Sequence, residues 1–144
     1  MKLEEAKETV RSIDKMMLDS VNLITAAKDR AEGSVLTRYL NELQDDRSAL
    51  LKRFDKMEME LKSEIPNNEQ VGGSIQATYL EDSDLSDKAI LKEVLNGDQD
   101  LLEKMEKEMV KPINEDVKSL FEEGARELIR NTETMKNMIE KDEV

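Results

Sequence analysis

The chain has 144 residues, enough for one domain-sized core, and its 22 basic against 34 acidic residues give a formal charge of −12. It contains no histidine and no cysteine. That excludes Ser-His and Cys-His catalysis, zinc fingers, disulfides, and haem or iron–sulfur ligation through those residues.

Five Gly and two Pro leave little material for a turn-rich β fold. Basic side chains are scattered among more numerous acids, so neither nucleic acid nor an anionic membrane is expected as a partner. No apolar run approaches the roughly 18 residues that a membrane span needs. Met1-Lys2-Leu3-Glu4-Glu5 lacks the basic and apolar segments of a signal peptide. A cytoplasmic location is the expectation.

Apolar residues at Leu3, Ala6, Val10, Ile13, Met17, Ile24, Ala27 and Ala31, with Ser20 among them, step by three and four. This predicts a helix over 2–31. Gly33 suits the left-handed position that ends a helix, and the Ser34 hydroxyl suits the cap of the next. Leu36, Leu40, Leu43, Arg47, Leu50, Phe54, Met57 and Leu61 predict a second helix over 34–64, stopped by Pro66 and Asn67-Asn68.

Residues 66–85 hold no sustained helical period and are read as a crossover, in which Ile75, Ala77, Tyr79 and Leu80 form a short helical turn or pack down as an anchor. Its acidic run Glu81-Asp82-Ser83-Asp84 lacks the spacing, central Gly and terminal Glu of a calcium loop. Ile90, Leu91, Val94, Leu95, Asp98, Leu101, Leu102, Met105 and Met109 predict a third helix over 86–110. Pro112 is tolerated in the first turn of a fourth, over 112–140, carried by Ile113, Val117, Leu120, Gly124, Leu128, Asn131, Met135 and Met138. Most of the nine Met lie on or beside these stripes and are read as core filling.

Connection lengths set the topology. Tight joints make helices one and two, and three and four, antiparallel hairpins. A twenty-residue middle connection extends to about 65 Å at roughly 3.3 Å per residue. A helix of 28 residues is about 42 Å long, so the connection can span the bundle. The predicted fold is therefore an all-α, ferritin-like antiparallel four-helix bundle with one long crossover between helices 2 and 3. A shift of 77 residues superposes Ile13 on Ile90 and Leu40 on Val117, as either a duplication or a shared helical phase would.

In such a bundle the chemistry lies halfway along the helices, so the polar interruptions Ser20, Arg47, Asp98, Gly124 and Asn131 matter most. A di-iron site needs a Glu from each of two helices and Glu-x-x-His from the others, and no His is present. Ser20, Arg47 and Asp98 are read as a structural polar core, with Arg47 and Asp98 in hydrogen-bonding distance. The alternative is an oxygen-only site for Fe or Mn built from Asp98 with Asp19, Asp46 and Glu127. A third reading turns these residues outward. Gly97, beside Asp98, is read as a point of close helix approach, since Gly inside a helix costs roughly 1 kcal/mol relative to Ala.

Leu43-Gln44-Asp45-Asp46-Arg47-Ser48, Gly72-Gly73-Ser74, and Asp87-Lys88-Ala89-Ile90-Leu91 followed by Leu95-Asn96-Gly97-Asp98 resemble a bacterial ferritin-like four-helix-bundle family of unknown function. The resemblance runs from about Ile13 to Ile139 and rests on the order and spacing of these segments. It implies the fold; the family carries no settled activity. The family usually shows Gly-Glu at Gly97-Asp98, and often a His where this chain has Asn131, Thr132 and Glu133.

The functional expectation is a non-catalytic, cytoplasmic bundle with a protein-interaction or stress-related role, acting as a homodimer or with an unknown protein partner. Met16, Leu18, Leu23 and Leu51, off the main seams, are the candidates for a second apolar stripe. The alternative is a metal-binding bundle with the carboxylate site just described.

Overall fold

The computed structural model describes residues 3–61, 85–111 and 113–144. Among them the chain forms α1 (Leu3–Arg30), α2 (Ser34–Glu60), α3 (Asp87–Met109) and α4 (Glu115–Glu140), with no strand. The predicted helices lie at these places, with ends shifted by up to a turn. The crossover read over 66–85 falls outside the described residues except for Leu85, which packs against the core. Its acidic run, its glycines and Tyr79 fall outside them too, as does Pro112.

Two helix starts have a local cause. The Ser86 hydroxyl accepts from the Ala89 N–H at 3.2 Å and caps α3, and the Asn114 side chain accepts from the Val117 N–H at 2.9 Å and caps α4. With Asn114 as the cap, α4 begins at Glu115 rather than at residue 112. Its far end closes through Asp142, which takes a left-handed φ of 56°. There the Glu143 N–H reaches the Met138 carbonyl and the Asp142 N–H that of Ile139, at 2.9 and 3.2 Å, satisfying two orphaned carbonyls.

The α1–α2 joint corrects the sequence expectation. Gly33 is extended, at φ −79° and ψ 145°, and it rather than Ser34 occupies the cap position of α2, with no side-chain cap. Its lack of a side chain has another cause. The Asp87 carboxylate accepts from the Glu32 N–H at 2.9 Å and from the Gly33 N–H at 2.7 Å. A Cβ on Gly33 would stand 2.8 Å from Asp87 Oδ2. One carboxylate from the first turn of α3 therefore satisfies two backbone donors where α1 ends and α2 begins.

Packing follows the apolar stripes. α1 packs against α2 and α3, and α4 against α3 and α2, which leaves α2 and α3 across a diagonal. The end of α1 meets the start of α3 at Asp87, and the start of α1 meets the end of α3 where Thr9 donates to Glu108 at 3.5 Å. Two apolar clusters fill the interior. One gathers Ile24, Leu36, Leu40, Leu91, Val94 and Met135. The other gathers Ile13, Met17, Phe54, Met105, Phe121 and Leu128, with Phe54 and Phe121 stacked at 5.6 Å between centroids.

The close approach expected at Gly97 occurs instead at Gly124, where a Cβ would lie 3.0 Å from Met105 Cε and 3.6 Å from Phe54 Cε1. Gly97 lines a cleft between α1 and α3.

Asp87→Ala removes the acceptor for two backbone N–H groups and is expected to lower unfolding free energy by about 1–3 kcal/mol in urea titrations. Gly33→Ala destabilises too, by forcing its Cβ against that carboxylate. The double variant should lose less than the sum of the singles, because the clash disappears with its partner.

Candidate functional site

Between the two apolar clusters lies a polar layer at mid-bundle. It is reached from α1 at Ser20, from α2 at Arg47 and from α3 at Asp98, while α4 passes between Leu128 and Met135. Arg47 has no exposed surface and Asp98 only 1%. The guanidinium donates from Nη1 to Asp98 Oδ1 at 2.7 Å and from Nη2 to Oδ2 at 2.8 Å, the bidentate geometry of the strongest ion pairs. Nη1 also donates to the Ser20 hydroxyl.

Burial opposes the charge on Arg47, but the Asp98 carboxylate outweighs it and holds the guanidinium above its ordinary pKa. Tyr39 is half-buried beside this layer and donates to the Asn131 carbonyl at 3.4 Å. Burial, reinforced by the Asp98 charge, pushes its phenol up.

The structure thus brings Ser20, Arg47 and Asp98 together. Gly124 lies away from them, facing Met105 and Phe54. The oxygen-only set does not converge with Asp98: Asp46 is exposed, and both Asp98 oxygens are engaged by Arg47. Asp19 lines a cleft of about 130 Å³ with Met16, Ser20, Leu23 and Gly97, and burial raises its pKa. Burial likewise raises Glu127, against the opposing pull of Arg47.

The second apolar stripe does not form as expected either. Leu23 is inside the cluster of Ile24 and Leu91, Met16 and Leu51 pack half-buried against that of Ile13 and Phe54, and Leu18 is half-buried.

A different acidic group was missed in the sequence. Asp14 of α1 and Asp55 and Glu58 of α2 each place a carboxylate oxygen within 4.8 Å of the other two, the one set of this kind among the described residues. Glu58 is 2% exposed and Asp14 8%. Asp14 Oδ1 and Glu58 Oε1 are buried without a hydrogen-bond partner. Burial, then the Asp55 and Glu58 carboxyls, push Asp14 up to about 10.

The signal that could have revealed it is helical phase. Arg47, Leu50, Phe54, Glu58 and Leu61 continue one buried face, whereas apolarity alone favoured Met57, which is only half-buried.

Compared with protein-family models, curated proteins and solved structures, the chain matches none of them.

Glu108 shows how the fold treats a buried acid when it supplies cations. At 5% exposure it accepts from Lys104 at 3.0 Å and from Lys111 at 2.8 Å. Burial alone would raise it, but the two ammonium groups hold it below its ordinary range. Asp98 has Arg47 as its ion-pair partner. Asp14 and Glu58 have each other and Asp55.

Asp98→Asn or Arg47→Met alone leaves a buried polar group unpaired and is expected to cost about 3–5 kcal/mol in chemical denaturation. Arg47→Met with Asp98→Leu should recover most of that loss. An acid whose folded pKa lies above its unfolded value holds its extra proton only when folded. The stability lent by Asp14 is therefore complete below about pH 4 and is lost as pH climbs toward 10. Asp14→Asn should flatten that decline and stabilise the chain at slightly alkaline pH by about 1–3 kcal/mol in chelator-treated buffer.

Proposed function

We propose that the protein is a non-catalytic, ferritin-like four-helix bundle that works through its outer helical surfaces, in a protein-interaction or stress-related role in the bacterial cytoplasm. In this proposal the helices are antiparallel, and one long crossover joins α2 to α3. The contacts of the start of α1 with the end of α3, and of its end with the start of α3, support that topology.

One observation carries the functional reading. At mid-bundle, where the carboxylates of a di-iron site would meet, the space is filled by a guanidinium bonded to Asp98 and Ser20. A fixed cation there repels a metal ion and takes up the carboxylate that would hold it. The absence of histidine from the sequence removes the remaining ligand type.

The surface is a poor candidate for a lipid or nucleic-acid partner because the net charge is −12. No helix among the described residues is long and apolar enough to cross a membrane. A second copy of the chain or another protein remains the partner of choice.

Two measurements test this. Purified protein mixed anaerobically with Fe(II) and then exposed to oxygen should consume oxygen no faster than Fe(II) in buffer. Light scattering should report a mass above that of one chain, 16.5 kDa. Iron-dependent oxygen uptake that is lost in Asp98→Asn would overturn the non-catalytic reading, and a monomer at all concentrations would overturn the homodimer.

A further inference from the structure

We infer that Asp14, Asp55 and Glu58 form a binding site for a hard divalent cation, of the calcium and manganese class, at the interface of α1 and α2. The inference is independent of the mid-bundle layer and of the proposed function. It uses none of the residues read as a metal set in the sequence.

The first ground is geometry. Three carboxylate oxygens lie within 4.8 Å of one another. Oxygens bound to a common ion at roughly 2.4 Å can be no more than about 4.8 Å apart, on opposite sides of it. The three residues sit on two packed helices, so the spacing is held by backbone rather than by a loop. Asp55 and Glu58 are three residues apart and therefore project from the same side of α2. Asp14 faces them from α1.

The second ground is unmet bonding capacity. Glu58 is 98% buried by its 2% exposure, yet its Oε1 has no partner, and Asp14 Oδ1 is in the same position. A buried carboxylate without a donor or counter-charge is expensive. Elsewhere this chain avoids the expense: Asp98 receives a guanidinium and Glu108 two ammonium groups.

The charged neighbours leave Asp14 Oδ1 and Glu58 Oε1 without a hydrogen bond. On α1, Arg11 and Lys15 flank Asp14 and are themselves engaged. Lys104 of α3 and Lys111, just beyond its end, are committed to Glu108. On the far side of α2, Arg53 pairs with Glu123 of α4.

The chemistry selects the class of ion. All-oxygen, all-carboxylate donor sets suit calcium, magnesium and manganese, whereas softer metals prefer imidazole and thiolate ligands, and the sequence has no His or Cys. Three carboxylates supply too few oxygens to complete a shell, so water fills the rest. Asp55, half-buried, marks the side from which ion and water enter. Bound, the ion replaces the proton that Asp14 otherwise carries, so affinity rises with pH.

The test is electron paramagnetic resonance of Mn2+ titrated into metal-free protein in slightly alkaline buffer at physiological ionic strength. The free-ion signal should be suppressed saturably, Ca2+ should restore it by competition, and binding should weaken on acidification. Mn2+ should also raise the melting temperature, as a ligand of the native state does. The Asp14→Asn, Glu58→Gln double variant keeps size and hydrogen bonding while relieving repulsion, and circular dichroism checks that it folds. Its affinity should fall by about tenfold or more, with no thermal shift.

Failure of the wild type to bind saturably overturns the site. So does equal binding by wild type and variant, which places the ion on surface carboxylates. Neither result bears on the oxygen-uptake test, which reads Asp98.

Discussion

A guanidinium with no exposed surface loses several kcal/mol of hydration, and Arg47 recovers it only because Asp98 and Ser20 meet it at mid-bundle. The two partners of the ion pair belong to α2 and α3, which lie across the diagonal and are not side by side. The contact therefore ties together helices that the apolar seams alone hold only through their neighbours. Ser20 brings α1 into the same knot. An apolar cluster lies on either side of this layer, and each excludes water from it.

The layer also sets register. Leu, Ile and Met stripes that repeat by three and four are nearly self-similar, so sliding one helix past another by two turns costs little in apolar contact. A slip of seven residues would place Arg47 opposite Leu91 or Met105 in place of Asp98, leaving a charge buried without a partner. Few alternatives in an all-helical core are penalised so heavily. Asp87 performs a related task at one end: its two hydrogen bonds fix the start of α3 against the α1–α2 joint. A single glycine there makes room for the carboxylate.

The helices and the Arg47–Asp98 contact were legible because both depend on contrast. Apolar residues at helical spacing define a face, and one charged residue on that face has to find its opposite. The Gly33 conformation was not legible, because its cause is a carboxylate 54 residues away. The acidic group was hidden for another reason. Glu58 lies on the buried phase of α2 but next to Met57, and hydrophobicity chooses the methionine. Asp14 follows Ile13 of the apolar stripe and meets Asp55 and Glu58 of α2. Periodicity finds the centre of a seam, while Asp14 and Glu58 flank one.

The buried acids divide by what the chain provides for them. Asp98 and Glu108 receive side-chain cations, and their charges are locked into the fold. Asp14 Oδ1 and Glu58 Oε1 have no hydrogen-bond partner, and burial favours a proton on Asp14. The first arrangement is fixed by sequence. The second answers to pH. In a chain of net charge −12, the mid-bundle pair holds α2 and α3 together, and the acid pushed furthest up by burial lies at the interface of α1 and α2.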